Sequence, residues 1–151
     1  SPRRRQDFDH IFLVTSNVIA KQVKPILKFY YADNLKVVST SSIYDAKLNN
    51  NIADLDGILF CDIPWIIQNN NSAQNTMLAT IHHTWPDSMN NIRLYAMGID
   101  AYNLTYSLGK LKNSGNTALA SNTGNLYLSN SNKIQRGLAW AVIQNGQPKS
   151  L

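Results

Sequence analysis

The chain has 151 residues, of which 44% are hydrophobic and 15% are charged, so it can build a core and need not be disordered. Its length fits one domain or about half of a large two-lobed domain. The formal net charge of +5 is partly that of Arg3, Arg4 and Arg5, which we interpret as part of a solvated basic loop at residues 1–8. The other basic residues are scattered without interleaved aromatic residues, so no nucleic-acid partner is predicted.

The first predicted elements are a strand and a helix. Residues 9–15 form a short, nearly continuous apolar run, which is typical of a buried parallel strand. Ser16 or Asn17 can cap the helix that follows. Pro25 lies inside this helix and predicts either a kink or a later helix start. Apolar residues at helical spacing predict one buried face, made of Ile19, Val23, Ile26, Leu27 and Tyr30.

Two more strands follow. Residues 36–40 complete a β-α-β unit, for which a right-handed crossover is expected. Residues 41–54 are predicted to be a polar loop, and residues 56–63 a third strand that Pro64 and Trp65 stop. Cys61 lies in this apolar run, so we expect a buried, inert thiol. Because it is the only cysteine, it excludes an internal disulfide and a cysteine zinc site.

Helices and then short strands make up the second half of the chain. Helices are predicted at residues 72–84 and 98–111, and Asp100 in the first turn of the latter would suit the helix dipole. Their apolar faces are Ala73, Met77, Leu78 and Ile81 in one, and Ala101, Leu104, Leu108 and Leu111 in the other. Residues 126–128 and 138–143 are predicted strands. Asn145 and Gly146 form the strongest hairpin signal.

This order of elements favours a parallel α/β architecture with flanking helices. The strands that can be assigned to one sheet are few, whereas a doubly wound sheet has about five. We therefore expect the chain to supply part of a larger domain. No stretch reaches the roughly 18 apolar residues of a membrane helix, and no signal peptide is recognised. The start at Ser1 instead of Met suggests a mature product or a fragment.

The motifs of common catalytic and metal sites are missing. Adjacent helical residues point about 100° apart, so His82 and His83 do not converge on one metal. No GxSxG, GxGxxG or GxxxxGK[ST] pattern occurs, and the sequence contains no Glu. Asp54, Asp56 and Asp62 are interpreted as turn and strand-end residues. We therefore predict no catalytic residue, no metal and no cofactor.

A ligand cleft remains open as an alternative. In open α/β sheets, ligands bind beyond the carboxyl ends of the strands, where these loops also serve as ordinary connections. Trp65 could stack on a ligand, act as a hinge wedge or simply pack. The candidate cleft or hinge residues are Ser41, Ser42, Tyr44, Pro64, Trp65, Asp100 and Tyr102.

Several segments together resemble one known family, the LpoA (LppC) lipoproteins that activate a penicillin-binding protein. The most specific is Asp-Leu-Asp-Gly-Ile-Leu-Phe-Cys-Asp-Ile-Pro-Trp at residues 54–65, followed by Arg-Leu-Tyr-Ala-Met-Gly-Ile-Asp-Ala-Tyr at residues 93–102. Further matching segments lie at residues 12–14, 22–32, 35–44, 123–126 and 136–140. They cover almost the whole chain in order.

The resemblance implies a type I periplasmic-binding-protein-like fold with two α/β lobes. Residues 9–63 would belong to the second lobe, residues 64–112 would cross over and add helices to the first, and residues 113–151 would complete the second. The first half of this domain, the family's N-terminal helical-repeat region and its lipid-bearing cysteine would all lie outside the chain.

The function implied by the resemblance is non-catalytic. It is binding and activation of a class A bifunctional penicillin-binding protein in peptidoglycan synthesis, at the periplasmic face of the outer membrane. Any membrane attachment would be through the lipid anchor. The alternative is a periplasmic solute-binding protein that uses the cleft between the lobes.

Overall fold

The computed structural model describes residues 7–45, 53–67, 72–113 and 117–151, without the side chains of residues 72–74. Most of the predicted basic loop and parts of the polar loops around residues 46–52 and 68–71 lie outside the described residues. The chain forms two compact units. Unit 1 contains Ser1–Asp62 and Trp140–Leu151, and unit 2 contains Ile63–Ala139. Each unit is described by itself below.

Unit 1 is built on a five-stranded sheet with the order β1-β2-β3-β7-β8. Its strands are β1 (His10–Leu13), β2 (Lys36–Ser39), β3 (Leu59–Asp62), β7 (Ala139–Gln144) and β8 (Gln147–Ser150). The pairs β1–β2 and β2–β3 are parallel, and β7–β8 is antiparallel. The predicted parallel α/β class is confirmed. The sheet has more strands than the sequence allowed us to assign to it, because the predicted hairpin at the end of the chain joins it.

Helix α1 (Asn17–Phe29) links β1 and β2 and passes through Pro25 without ending. The alternative of a later helix start is wrong, because the helix already begins at Asn17. The helix ends in a Schellman arrangement, in which the Ala32 N–H donates to the Leu27 carbonyl and the Tyr31 N–H donates to the Lys28 carbonyl. Tyr31 takes the left-handed φ of 56° that glycine usually supplies at this position.

The predicted buried stripe of α1 is only partly correct. Val23 and Leu27 are half-buried, whereas Ile19, Ile26 and Tyr30 are exposed. Small residues at the start of α1 and apolar residues of the sheet and its loops form the core of unit 1 instead. This core contains Ala20, Val37, Ile43, Leu55, Ile58, Phe60, Ala141 and Ile143.

The segment from the end of β2 to the end of β3 differs from the prediction in three ways. The segment predicted as a polar loop contains 3₁₀ turns at Ser41–Ile43 and Ala53–Leu55. The third strand begins at Leu59, three residues later than predicted, because Gly57 has a φ of +86° that interrupts the extended run. Cys61 is half-buried instead of fully buried.

Unit 2 combines helices with a small antiparallel sheet. Its helices are α2 (Pro64–Ile67), α3 (Ser72–Thr84) and α4 (Ile92–Asn113), with a 3₁₀ segment at Pro86–Asn91. Its strands are β4 (Leu119–Ser121), β5 (Gly124–Leu128) and β6 (Ile134–Gly137), in the order β4-β5-β6. Helix α3 has the predicted bounds. None of the described helices is both long and apolar enough to cross a membrane.

Helix α4 starts six residues before its predicted beginning and encloses Gly98. Asp100 therefore lies in the middle of the helix, and its assignment to the first turn, near the helix dipole, is wrong. The buried face of α4 consists of Ile92, Ala96, Asp100 and Leu111, while Ala101 and Leu108 of the predicted stripe are exposed. In α3 the stripe is also mixed, since Ile81 is buried and Met77 is exposed.

Gly124 is required where β5 meets β6. Its φ is +129°, and a Cβ built on it would lie 2.1 Å from the carbonyl oxygen of Gly137. Any side chain here would collide with backbone of the neighbouring strand. A glycine is therefore needed at the start of β5.

Candidate functional site

The carboxyl ends of β1 and β2 are tied together by hydroxyl groups. The Ser39 hydroxyl donates to the Leu13 carbonyl at 2.6 Å, and the Ser42 hydroxyl donates to the Thr15 carbonyl at 2.8 Å. The hydroxyls of Ser42 and Thr40 lie 2.6 Å apart. Ser42, a predicted cleft residue, thus uses its hydroxyl to hold two strand ends in place.

The neighbouring predicted residues Ser41 and Tyr44 frame the same turn. The Tyr44 N–H donates to the Ser41 carbonyl at 3.2 Å, which closes the 3₁₀ turn. Below it, the buried side-chain amide of Asn17 donates to the Ile43 carbonyl at 2.9 Å. The chain after β2 is therefore fastened to the start of α1 by a buried hydrogen bond.

Tyr44 packs its ring on Phe60, with ring centroids 5.9 Å apart and an interplanar angle of 28°. Burial raises the pKa of the Tyr44 hydroxyl above its ordinary value, and the negative charges of Asp45 and Asp62 raise it further. The phenol therefore stays protonated at neutral pH and serves here as a packing group with a polar tip.

In unit 2 a hydrogen-bond network joins two of the predicted residues, Trp65 and Asp100, through Asn122. The Trp65 indole N–H donates to Oδ1 of Asn122 at 3.1 Å. The Asn122 side-chain amide donates to Oδ1 of Asp100 at 2.7 Å. Trp65 and Asp100 are each only 4% exposed. The network therefore lies in the interior of unit 2.

The Asp100 carboxylate also holds the backbone of the turn between β4 and β5. The backbone N–H groups of Asn122 and Thr123 donate to its two oxygens at 3.0 and 2.7 Å. Two consecutive N–H groups on one carboxylate fix the path of the turn, and both would otherwise need other partners. Asp100 is thus a structural acceptor that organises this turn.

The pKa of Asp100 reflects a competition. Burial disfavours the charged form and by itself would raise the pKa. Hydrogen bonds from the side chains of Thr123 and Ser121, and from the backbone of the same turn, outweigh burial and hold the pKa below its ordinary value of 3.8. Asp100 is consequently ionised throughout the neutral range and is not a general acid.

The remaining predicted residues, Pro64 and Tyr102, lie in helices α2 and α4. Pro64 opens α2, one residue before Trp65, in a position where a missing N–H costs nothing. Tyr102 lies on the exposed side of α4, and its hydroxyl is 3.3 Å from that of Tyr106. This hydrogen bond raises the pKa of the Tyr106 hydroxyl. The two exposed rings pack edge to face, with centroids 5.5 Å apart.

A half-open groove of about 520 Å³ runs beside this part of α4. Asp100, Asn103, Tyr106, Ser121 and Asn122 contribute to its lining. Among the described lining residues, the one carboxylate is that of Asp100, which already accepts hydrogen bonds from Asn122 and Thr123. The described lining of the groove therefore offers neutral polar groups and ring surface beside a carboxylate that is already hydrogen-bonded.

The other carboxylates have separate structural positions. Asp56 accepts the N–H groups of Asn145 and Gly146 at 3.0 and 2.9 Å, Asp54 is exposed in a 3₁₀ turn, and Asp62 is buried at the end of β3. These positions agree with their interpretation as turn and strand-end residues. Within the described ranges, no group of three or more His, Cys, Asp or Glu residues could hold a metal ion.

Asn122 and Thr123 are the important residues that the sequence did not single out. The run Ser-Asn-Thr-Gly at residues 121–124 is typical of a turn. Nothing in the spacing, however, shows that this turn meets a carboxylate 22 residues earlier. The cleft or hinge candidates are divided between the two units. Unit 1 contains Ser41, Ser42 and Tyr44, and unit 2 contains Pro64, Trp65, Asp100 and Tyr102.

The family model described as "LppC putative lipoprotein" matches residues 1–146. Among curated proteins, the chain is similar to penicillin-binding protein activator LpoA from Aliivibrio fischeri, with 31% identity over 144 residues. The LpoA of Photobacterium profundum is 30% identical over 144 residues. In both cases the match covers 93% of this chain and 23% of the relative. The chain thus spans about a quarter of the length of these relatives.

Solved structures show the same fold. The C-domain of LpoA (YraM) from Haemophilus influenzae, described as a regulator of PBP1A, matches 98% of this chain and 46% of its own, with a TM-score of 0.78 and 23% identity. A "putative branched-chain amino acid ABC transporter" from Chromobacterium violaceum matches 89% of this chain and 42% of its own, with a TM-score of 0.61 and 24% identity. These likenesses confirm the predicted periplasmic-binding-protein-like α/β fold.

Proposed function

Because this chain belongs to the LppC lipoprotein family, we propose that it forms part of a protein that binds and activates a class A bifunctional penicillin-binding protein in peptidoglycan synthesis. The observation that carries the proposal is the match of almost the whole chain to curated relatives named as penicillin-binding protein activators. The solved C-domain described as a regulator of PBP1A supports the same role.

The proposed role is contact with the synthase, without catalysis by this chain. Its support lies in how the polar groups are used. The Ser42 hydroxyl is directed at the Thr15 carbonyl, and the Asp100 carboxylate at the turn between β4 and β5. A nucleophile or general base needs an accessible atom that can reach a substrate, and these groups are committed to holding the backbone.

Activation by contact requires a difference in affinity. A bound protein shifts its partner toward an active state only if it binds that state more tightly than the resting state. A tenfold shift corresponds to about 1.4 kcal/mol of differential binding, which a few interface residues can supply.

We place the protein at the periplasmic face of the outer membrane, held by a lipid anchor, and the family description "LppC putative lipoprotein" supports this placement. The division of residues 9–63, 64–112 and 113–151 between two lobes, and the role of the seven candidate residues in a cleft or hinge, stay predictions. The alternative role as a solute receptor is not favoured. Its support is the likeness to a transporter structure at 24% identity, which reaches only the fold.

Reconstitution tests the proposal. The full-length protein is added to a detergent-solubilised class A penicillin-binding protein from the same organism, and crosslinked product from lipid II is followed over time. We expect the rate to rise and to saturate with the amount added. A heat-unfolded sample serves as the control. An unchanged rate at saturating concentrations, with binding of an amino acid by calorimetry, would overturn the proposal in favour of a solute receptor.

A further inference from the structure

The groove beside α4 in unit 2 combines apolar and polar walls. Leu104, Leu119 and Leu126 in its lining are buried or half-buried, whereas Asn103 and Tyr106 are exposed. Its volume of about 520 Å³ falls within the range of ligand pockets, roughly 300–1,000 Å³. The groove is therefore large enough for a small organic ligand, and it offers both kinds of surface to one.

The lining does not suit a charged ligand. Among the described lining residues there is no lysine, arginine or histidine, so an anion would meet no opposite charge. The carboxylate of Asp100 is buried and already accepts three hydrogen bonds, from Asn122 and Thr123. A cation would have to compete with these hydrogen bonds for it. The ligand that fits this lining is therefore uncharged.

The polar groups of the lining call for a ligand that forms hydrogen bonds. The exposed side-chain amide of Asn103 can both donate and accept. The Ser107 hydroxyl donates to the Asn103 carbonyl at 2.7 Å, and its oxygen keeps lone pairs that can accept. A purely apolar ligand would bury these groups without partners, at a cost in free energy. The ligand must therefore be polar as well as uncharged.

An exposed aromatic ring completes this lining. Tyr106 is 73% exposed, and the ring of Tyr102 packs against it edge to face. A tyrosine ring held in this way presents a flat apolar face with a polar tip. A sugar ring has the complementary form, because hydroxyl groups surround its edge while C–H groups cover its faces and can stack on an aromatic ring.

We propose that this groove binds an uncharged, N-acetylated sugar chain. One sugar ring stacks on Tyr106, and its hydroxyl or acetamido groups form hydrogen bonds with Asn103 and Ser107. An acetamido group suits the lining, because its amide pairs with the Asn103 amide and its methyl group packs against leucine side chains such as Leu119. The choice of an N-acetylated sugar rests on the proposed role in peptidoglycan synthesis, since the glycan strands of that polymer consist of such sugars and its peptides carry charged groups.

Calorimetric titration of the full-length protein with the tetramer of N-acetylglucosamine tests the class of ligand. The tetramer of glucosamine is the matched control, because it has the same rings and linkages but carries ammonium groups in place of acetamido groups. We expect the acetylated tetramer to bind at least about tenfold more tightly. Absence of binding, or equal binding of the two tetramers, would overturn the proposal. Binding of an acidic stem peptide instead of the acetylated tetramer would overturn it as well.

Variants of the lining test the location. Tyr106→Ala should raise the Kd of the acetylated tetramer at least about tenfold, because the stacking surface is lost. Tyr106→Phe keeps the ring and should bind within about threefold of the wild type. Tyr30→Ala, which removes an exposed tyrosine of unit 1, should leave the Kd unchanged.

Asn103→Ala provides a second test that does not depend on the ring, and it should also weaken binding because a hydrogen-bonding partner is lost. Both side chains are exposed, so the urea midpoints should stay at the wild-type value. Wild-type affinity in both Tyr106→Ala and Asn103→Ala would overturn the proposal, because the sugar would then bind elsewhere.

The titration contains no penicillin-binding protein, so it can fail or succeed independently of the activation assay. Binding of the acetylated tetramer without activation of a synthase would contradict the proposed function and support the sugar site. Activation without binding of the tetramer would contradict the sugar site alone.

Discussion

The two units use the same structural device at different depths. In unit 1 the half-buried Asp56 accepts two consecutive N–H groups, from Asn145 and Gly146, in the hairpin between β7 and β8. In unit 2 the buried Asp100 accepts two consecutive N–H groups in the turn between β4 and β5, and a third hydrogen bond from Asn122. Each aspartate fixes a turn that is distant in sequence.

The difference in depth determines what each aspartate contributes. Around Asp56, water can replace a lost acceptor, and the turn has intrinsic support because Asn145 and Gly146 adopt the positive φ angles of 53° and 70° that suit a tight hairpin. Asp100 is only 4% exposed, so water replaces a lost acceptor less readily, and the network continues through Asn122 to Trp65. We therefore expect unit 2 to depend far more strongly on its aspartate.

The largest effect is expected at the end of the unit 2 network. Trp65→Ala should destabilise the protein by about 4 kcal/mol, because a buried ring is lost and a cavity remains. Trp65→Phe is the matched control, which keeps most of the ring and loses the hydrogen bond, and it should cost less. Urea unfolding measures both, and affinity for the synthase should fall together with stability. Normal stability with lost affinity would make Trp65 a contact residue.

Asp100→Ala should cost about 3 kcal/mol, because the buried N–H group of Thr123 and the half-buried N–H group of Asn122 lose their acceptor. Asp100→Asn keeps one acceptor oxygen and should cost less. The measurement is the urea midpoint of the full-length protein, compared at constant denaturant slope. A smaller loss of stability than that of Asp56→Ala in unit 1 would contradict the comparison between the two units.

Asp56→Ala should cost only about 1 kcal/mol, because the N–H groups of Asn145 and Gly146 can turn to water. The sharper control is Gly146→Ala, which keeps the carboxylate but places a side chain at a φ of 70°. If Asp56→Ala proved as damaging as Asp100→Ala, burial would not be what separates the two units.

The smallest effect is a pH dependence. Because the pKa of Asp100 is lowered in the folded protein, its contribution to stability is present above the ordinary value of 3.8 and is lost as the pH falls below it. The wild type should therefore lose stability in this acidic range more steeply than Asp100→Asn. Parallel curves for the two proteins would show that Asp100 is not the titrating group.

The sequence predicted those features that depend on neighbouring residues. The apolar run before Asn17, the helix ending at Thr84 and the Asn145–Gly146 hairpin are local patterns, and the structure confirms them. The predicted start of α4 at Gly98 is six residues too late, and Gly98 fits inside the helix. Among the candidate site residues, Trp65 and Asp100 were chosen, but Asn122, which connects them, was not.

There is a physical reason why the sequence does not show which turns Asp56 and Asp100 hold. The partners of Asp56 lie 89 and 90 residues away, and those of Asp100 lie 22 and 23 residues away. A carboxylate that binds distant backbone N–H groups leaves no periodic pattern, since any residue except proline supplies an N–H group. Likewise, apolar residues have the same helical spacing whether they are buried or exposed. Periodicity therefore could not show that Ile19, Ile26 and Tyr30 of α1 are exposed.

Under the proposed function, the full-length protein would act by contact that favours an active synthase. The most direct measurement is the affinity of the full-length protein for a class A penicillin-binding protein, alone and with a substrate analogue that holds the synthase in its active state. We expect a lower Kd for the synthase that holds the analogue than for the synthase alone. By reciprocity, the analogue should bind the complex more tightly than the free synthase. Equal affinities in both states, or no binding at all, would contradict it.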